Sequence, residues 1–282
     1  MNKKLLFFIF LFCSFFYCST HAVTYIPEQK NNVNLGSKAT KLTQVGDDLY
    51  ISGTFTTAEI SNSKLNIFNP STQEKTYSPI VNNEVENITS DQKGGMYIAG
   101  YFTKLGSYEI SKVAHLWKNG SIDTVFNPPI INGRIYSTLY DKTRDTLYIT
   151  GSFTSINEIV DNRIYIAALD GTTGELKSWY PGSLSGQITS WTQDDDYIYY
   201  FLGQIDPQIY KVHKDTGEYD SNWTDDFNGA SCYARFLKED TTSLYLSIDS
   251  ECTAFGSSTI TSPYFFSLNK DTKAVTNYDH LN

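Results

Sequence analysis

The sequence predicts an all-β protein, a β-propeller of five four-stranded blades, on three observations. The first is a recurring octet. Leu49-Tyr50-Ile51-Ser52-Gly53-Thr54-Phe55-Thr56 returns as Met96-Tyr97-Ile98-Ala99-Gly100-Tyr101-Phe102-Thr103 and as Leu147-Tyr148-Ile149-Thr150-Gly151-Ser152-Phe153-Thr154. Worn copies follow at Ile198-Tyr199-Tyr200-Phe201 and Leu244-Tyr245-Leu246-Ser247. The second is the period: from Leu49 through Met96, Leu147 and Ile198 to Leu244 the copies lie 47, 51, 51 and 46 residues apart, a spacing typical of radially stacked β units. The third is composition, with 21 Tyr and 17 Phe, the residues that pack between sheets.

Taken in order, the chain begins with a targeting segment. Lys3 and Lys4 precede an almost continuously apolar run, 5–17, and then Thr20-His21-Ala22. A basic start, an apolar stretch and small residues predict a signal peptide, 1–22, cleaved before Val23. The run is shorter than the ~20 residues that span a bilayer. Tyr17 before Cys18 is bulky where a lipidation signal takes a small residue. The mature chain is therefore expected to be secreted, periplasmic or on the cell surface, with no membrane insertion after cleavage. Residues 23–36 read as an extended lead-in, and 37–282 as the propeller.

Within 37–282 the blades read as 37–83, 84–131, 132–184, 185–229 and 230–282. The first strand of each is short and apolar: 42–45, 85–88, 135–139, 188–191 and 233–237. Turns rich in Asp and Gly follow at 46–48, 91–95, 141–145, 194–196 and 238–242, because Asp side chains bond nearby backbone and Gly tolerates positive φ. The octet forms the second strand, apolar on both faces, as a sheet covered on each side requires. Gly53, Gly100 and Gly151 then permit a bend or close approach, and Phe55, Phe102 and Phe153 supply packing bulk. Third strands are expected at 64–68, 113–117, 164–169, 208–212 and 264–268. Outer strands are expected at 76–77, 123–126, 176–179, 219–220 and 275–278. One such unit has two apolar faces and cannot stand alone, whereas five arranged radially cover one another.

Cys13 and Cys18 fall in the signal segment, leaving Cys232 and Cys252. They flank the turn 238–243 and suit a disulfide across one hairpin in an oxidising compartment. Two buried free thiols are the alternative.

The repeat also carries a resemblance. The segments Gly151-Ser152-Phe153-Thr154-Ser155-Ile156-Asn157 through Asn162-Arg163-Ile164, and Asn119-Gly120-Ser121-Ile122-Asp123 through Phe126-Asn127-Pro128, resemble the delta-sixty type β-propeller repeat of secreted bacterial proteins. The resemblance covers blades one to three; blades four and five have lost the Gly-x-Phe-Thr core. It implies a propeller outside the cytoplasm and no defined activity. The turn Asp170-Gly171-Thr172-Thr173-Gly174 is similar to quinoprotein propeller repeats, yet no quinone or other cofactor is assigned.

Charge narrows the partners. The formal net charge is −9, and removing 1–22 takes away two lysines and no acid. An acidic surface without Lys/Arg clusters argues against nucleic acid and against anionic membrane surfaces. Candidate chemistry is sparse. Asp194-Asp195-Asp196 lacks the spread of an EF-type calcium loop and reads as a solvated turn. His115, His213 and His280 form no zinc pattern. Gly182-Ser183-Leu184-Ser185-Gly186 carries Leu184 where a nucleophile elbow needs Ser. Asn87-Ile88-Thr89, Asn119-Gly120-Ser121 and Asn222-Trp223-Thr224 match the N-glycosylation pattern. Glu84 and Glu86 are the acids near an inner strand, in one blade, where a glycosidase would need two carboxylates.

Two functions stand at this point. One is a non-catalytic binding, adhesion or scaffold module for a protein or glycan ligand, read by the loops 56–63, 103–112, 154–162 and 250–262. The other is a glycan-acting hydrolase using Glu84 or Glu86.

Overall fold

The computed structural model describes residues 39–45, 48–53, 65–68, 75–76, 79–110, 112–157, 163–202, 208–223, 227–228, 234–248, 253–261 and 265–278. All belong to the unit 34–282. The signal segment, the lead-in, Phe55 and both mature cysteines lie outside the described residues, so the expected Cys232–Cys252 disulfide does too.

The described residues are all-β and contain no helix. Five main antiparallel sheets follow one another along the chain. The first holds β1 (Ala39–Val45), β2 (Asp48–Gly53), β3 (Leu65–Phe68) and β4 (Lys75–Thr76). The second holds β5 (Val85–Ser90), β6 (Met96–Gly100) and, after a small hairpin of β7 (Lys104–Leu105) and β8 (Tyr108–Glu109), β9 (Val113–Leu116). The third is β10 (Ile135–Asp141), β11 (Thr146–Gly151) and β12 (Ile166–Asp170), and the fourth β13 (Ile188–Gln193), β14 (Tyr197–Leu202) and β15 (Ile209–His213). Next come β16 (Phe227–Asn228), β17 (Ala234–Glu239), β18 (Ser243–Ile248), β19 (Ala254–Phe255), β20 (Ser258–Thr259), β21 (Phe265–Asn269) and β22 (Val275–Asn277). Of these, β17, β18, β21 and β22 form the fifth sheet, and β16, β19 and β20 a small satellite.

Strand alternation explains how the sheets pack. On β6, Met96 and Ile98 join a core shared with Tyr50, Leu65 and Ile67 of the first sheet. Tyr97 and Ala99, pointing the other way, join Ile135, Leu147 and Ile149 of the third. The switch repeats at Tyr148 towards the fourth sheet and at Tyr199 and Phe201 towards the fifth. Each consecutive pair of sheets thus shares one core, and the middle sheets are apolar on both faces because both are covered.

Two expectations need correction. The octet is not strand throughout, since β6 ends at Gly100 and β11 at Gly151. A Cβ on Gly100 would lie 2.1 Å from the Glu84 carbonyl oxygen, and on Gly151 1.9 Å from that of Arg134. The chain leaves the sheet there, and Phe102 and Phe153 plug the intersheet cores, fully buried. Nor are all five sheets four-stranded. In the second, third and fourth the outer strand is reduced to a single bridge, at Ile122, Leu176 and Tyr219. The reason lies in the residues after it. Phe126, Trp179 and Trp223 turn inward and pack their rings on Tyr97, Tyr148 and Tyr199 at centroid distances of 5.5, 4.8 and 5.6 Å. Burying a large aromatic side chain is worth about 2–3 kcal/mol, more than extending an exposed edge.

Candidate functional site

The stack has two ends, and the sequence builds them differently. At one end lie the segments that follow Gly100 and Gly151. The Asn82 carboxamide accepts the Thr103 and Lys104 amides at 3.0 Å each and donates to Thr103 Oγ1 at 2.9 Å. Asn132 treats Thr154 and Ser155 in the same way, at 2.9, 3.1 and 3.0 Å. The octet's last Thr is therefore a hydrogen-bond partner of an Asn three residues before the first strand of its own sheet. Sequence reasoning missed these asparagines; the shared placement of Asn82 before Val85 and Asn132 before Ile135 was the available signal. In all five main sheets the first strand also bulges after its first residue, passing over Thr40, Glu86, Tyr136, Thr189 and Arg235. Bulges of this kind bend a strand and re-aim side chains.

At this loop end the two predicted carboxylates meet. Arg134 grips both, Nη2 to Glu84 Oε2 at 2.6 Å and Nη1 to Glu86 Oε1 at 3.0 Å. Burial pushes the Glu86 carboxyl above its ordinary range against the pull of Arg134, with Glu84 adding to the rise. The Arg134 guanidinium lies 5.1 Å from the centroid of the exposed Tyr101 ring, and the Lys112 ammonium lies 4.3 Å from the same ring, within cation–π range. Lys112 is only 7% exposed, and burial alone holds its ammonium below the usual lysine range. Its φ of 73° is left-handed, like the 71° of Tyr165 in the third sheet. Both conformations serve the same pair of hydrogen bonds, in which the octet Gly amide donates to the residue's carbonyl and its own amide donates to the octet Phe carbonyl. Ile80, Tyr108, Ile130 and Tyr136 are exposed on the segments around this cluster.

The opposite end gathers the turns between first and second strands. They frame a polar cleft of about 730 Å³, contacted by Gln92, Tyr140, Gln193, Tyr197, Glu239 and Asp271 among others. Its cations are spoken for. Lys214 Nζ donates to Asp141 Oδ2 at 2.9 Å, with both side chains buried. Lys270 Nζ reaches Asp194 Oδ2 at 3.0 Å and Glu239 Oε2 at 3.1 Å. Arg144 forks onto Asp215 at 2.6 and 3.2 Å and touches Asp141 at 3.2 Å. Burial, which would raise the Asp141 and Asp194 carboxyls, is outweighed by these cations and by backbone amides, so both stay below the ordinary range. The charges of this cleft connect neighbouring sheets.

The other residues singled out in the sequence find structural roles. Asp194 is no solvated turn residue: it caps Tyr197 and Asp196, accepts from Tyr199 and pairs with Lys270, while Asp195 and Asp196 are exposed. His115 is buried between Asp123 Oδ2 (2.9 Å from Nδ1) and Asp91 Oδ2 (3.1 Å from Nε2). Among the described residues no group of His, Cys, Asp and Glu is placed to hold a metal ion. Asn87 is buried, its carboxamide engaged with Thr89, Ser137 and Thr138, whereas Asn119 and Asn222 are exposed.

No protein-family model and no curated protein matches the chain. Among solved structures it is similar to the extracellular domain of the "putative one component system BT4673" from B. thetaiotaomicron, at 15% identity and a TM-score of 0.52. The match covers 79% of this chain but 27% of that one, so the chain spans about a quarter of that protein's length. The likeness concerns the all-β fold.

Proposed function

We propose that the chain is an exported, non-catalytic β-propeller of five blades that acts as a binding or scaffold module at the cell envelope or outside the cell. Five consecutive sheets with shared cores support the blade reading. Closure of the ring is supported by Lys41 of the first sheet. Its ammonium is held below the usual range by burial and then by repulsion from Lys238 of the fifth sheet, which requires the two to lie near each other. The likeness to an extracellular domain and the basic-apolar-small leader support export.

The observation that carries a binding role is the loop end, where the exposed ring of Tyr101 lies against the Glu84–Arg134–Glu86 cluster and Tyr108, Ile80 and Ile130 are also exposed. Exposed apolar groups rimmed by charge are the usual make-up of an interaction surface. Labelled mature protein should bind isolated envelopes or a glycan panel saturably. Exchanging loops 103–112 and 154–162 for Gly/Ser turns should abolish that binding; unchanged binding would remove the loop end from consideration.

The glycan hydrolase is the second reading, because the raised Glu86 carboxyl is the property a general acid needs. Arg134 opposes it by holding Glu84 and Glu86 on one cation. Glycan cleavage lost in the double variant Glu84→Gln/Glu86→Gln would favour the hydrolase; cleavage by that variant at the wild-type rate would exclude these residues.

A further inference from the structure

Lys112 breaks the pattern set by the other buried lysines. Lys214 and Lys270 are comparably buried, and each meets a carboxylate within 3.1 Å. The Lys112 ammonium meets none among the described residues, and its one described contact is the face of Tyr101. A buried ammonium without an acceptor is costly, because the charge has lost water and gained no counter-charge. Such groups cluster where a ligand supplies the missing partner. The backbone does not demand lysine here, since Tyr165 occupies the matching left-handed position in the third sheet. The surroundings narrow the ligand further. Glu84 and Glu86, held by Arg134 and about a quarter to a third exposed, offer acceptors for hydroxyl groups beside a fixed donor. They also repel a chain of closely spaced anions, as does the net charge of −9. The exposed ring of Tyr101 adds an apolar edge.

We infer that the loop end binds a saccharide bearing an isolated carboxylate, which completes the coordination of Lys112 while its hydroxyls engage Glu84, Glu86 and Arg134. This rests on the binding-module reading and gives that site its ligand class. An acidic peptide fits less well, because it lacks the neutral hydroxyls and would set further carboxylates against Glu84 and Glu86.

The test is calorimetric titration of the mature chain with oligosaccharides carrying glucuronic, galacturonic or sialic acid, each beside its carboxyl-reduced counterpart. At least one acidic sugar should bind about 10–100-fold more tightly than its reduced form, as expected when a charge-assisted bond is lost. Lys112→Met should erase that difference, and Lys112→Arg should retain part of it. Equal affinity for acidic and reduced sugars overturns the inference, and this comparison needs no variant to fold. Undiminished discrimination in Lys112→Met overturns it as well. If no sugar binds while envelopes still bind saturably, the carboxylate inference falls and the binding module survives; if neither binds, both fall.

Discussion

The two ends of the stack carry similar residues and use them in opposite ways. At the turn end, Lys214, Lys270 and Arg144 each join carboxylates or carbonyls from neighbouring sheets, so these cations are answered from within. At the loop end, Arg134 is answered and Lys112, among the described residues, meets no carboxylate. A buried cation with its partner acts as a staple, and its removal leaves an uncompensated carboxylate. A buried cation without one carries a standing cost, relieved by losing its proton or by an outside counter-charge. Burial alone therefore does not separate structural from functional charges here; completeness of pairing does.

The comparison can be broken most forcefully at its staples. Lys214→Met, which leaves the buried Asp141 with only Arg144 and backbone amides as partners, should destabilise by about 3 kcal/mol. For a domain of this size that is a melting point lower by roughly 6–12 °C. Lys112→Met should change it by no more than about 1 kcal/mol. Equal losses in thermal melts of the two variants would erase the distinction between the ends. Next in size, Gly100→Ala drives a Cβ into the Glu84 carbonyl and should cost about 1–3 kcal/mol along with loop-end binding. Gly186→Ala, with nothing within 4 Å, should stay within about 0.5 kcal/mol.

Acid sharpens the comparison from another side. The folded Asp141 and Asp194 carboxyls titrate below their ordinary values, so the unfolded chain takes up protons first as the pH falls. Their stabilisation is complete above the unfolded value of about 3.9 and fades as the pH drops through the folded values. Urea midpoints at pH 7, 4 and 3 should fall steeply below pH 4 in the wild type and more gently in Lys214→Met. Parallel curves would mean that the staples do not set the acid limit. The smallest effect is expected at Arg134, whose side chain is a third exposed. Arg134→Gln should cost under about 1 kcal/mol, while the Glu86 carboxyl, freed from its one attractive neighbour, titrates higher still by carbon-detected NMR. A downward shift would contradict the cluster's electrostatics.

Much of the fold was legible in the octet. Its alternation placed Tyr97, Tyr148 and Tyr199 on one face and Ile98, Ile149 and Ile198 or Tyr200 on the other, and the shared cores follow from that. The end of the strand at Gly100 was not legible, because the clash that fixes it involves Glu84, a residue distant along the chain. The inward turns of Phe126, Trp179 and Trp223 were hidden for a related reason, since edge pairing and core packing favour similar residues. The site was half visible. Glu84 and Glu86 could be named from their place beside a first strand, but Arg134, fifty residues on, belongs to the neighbouring repeat. Lys112 had no signal at all, as only three-dimensional bookkeeping reveals which lysines lack a partner.

The octet tyrosines have one more consequence, and it concerns synthesis. Tyr97 donates to the Gly171 carbonyl at 2.7 Å and Tyr148 to that of Lys214 at 3.4 Å, each reaching forward into the sheet made after its own. The fourth and fifth copies, Tyr199 and Tyr245, bond back to Asp194 and Asp240 of their own turns at 2.9 and 2.8 Å. During translation the second and third sheets therefore wait for their successors before Tyr97 and Tyr148 have these acceptors and their outer faces a cover. At about 5–20 residues per second, a gap of 51 residues between octets is a delay of roughly 2.5–10 s. While these two sheets are made, the growing chain trails one unfinished sheet, and that sheet is where a chaperone would find it.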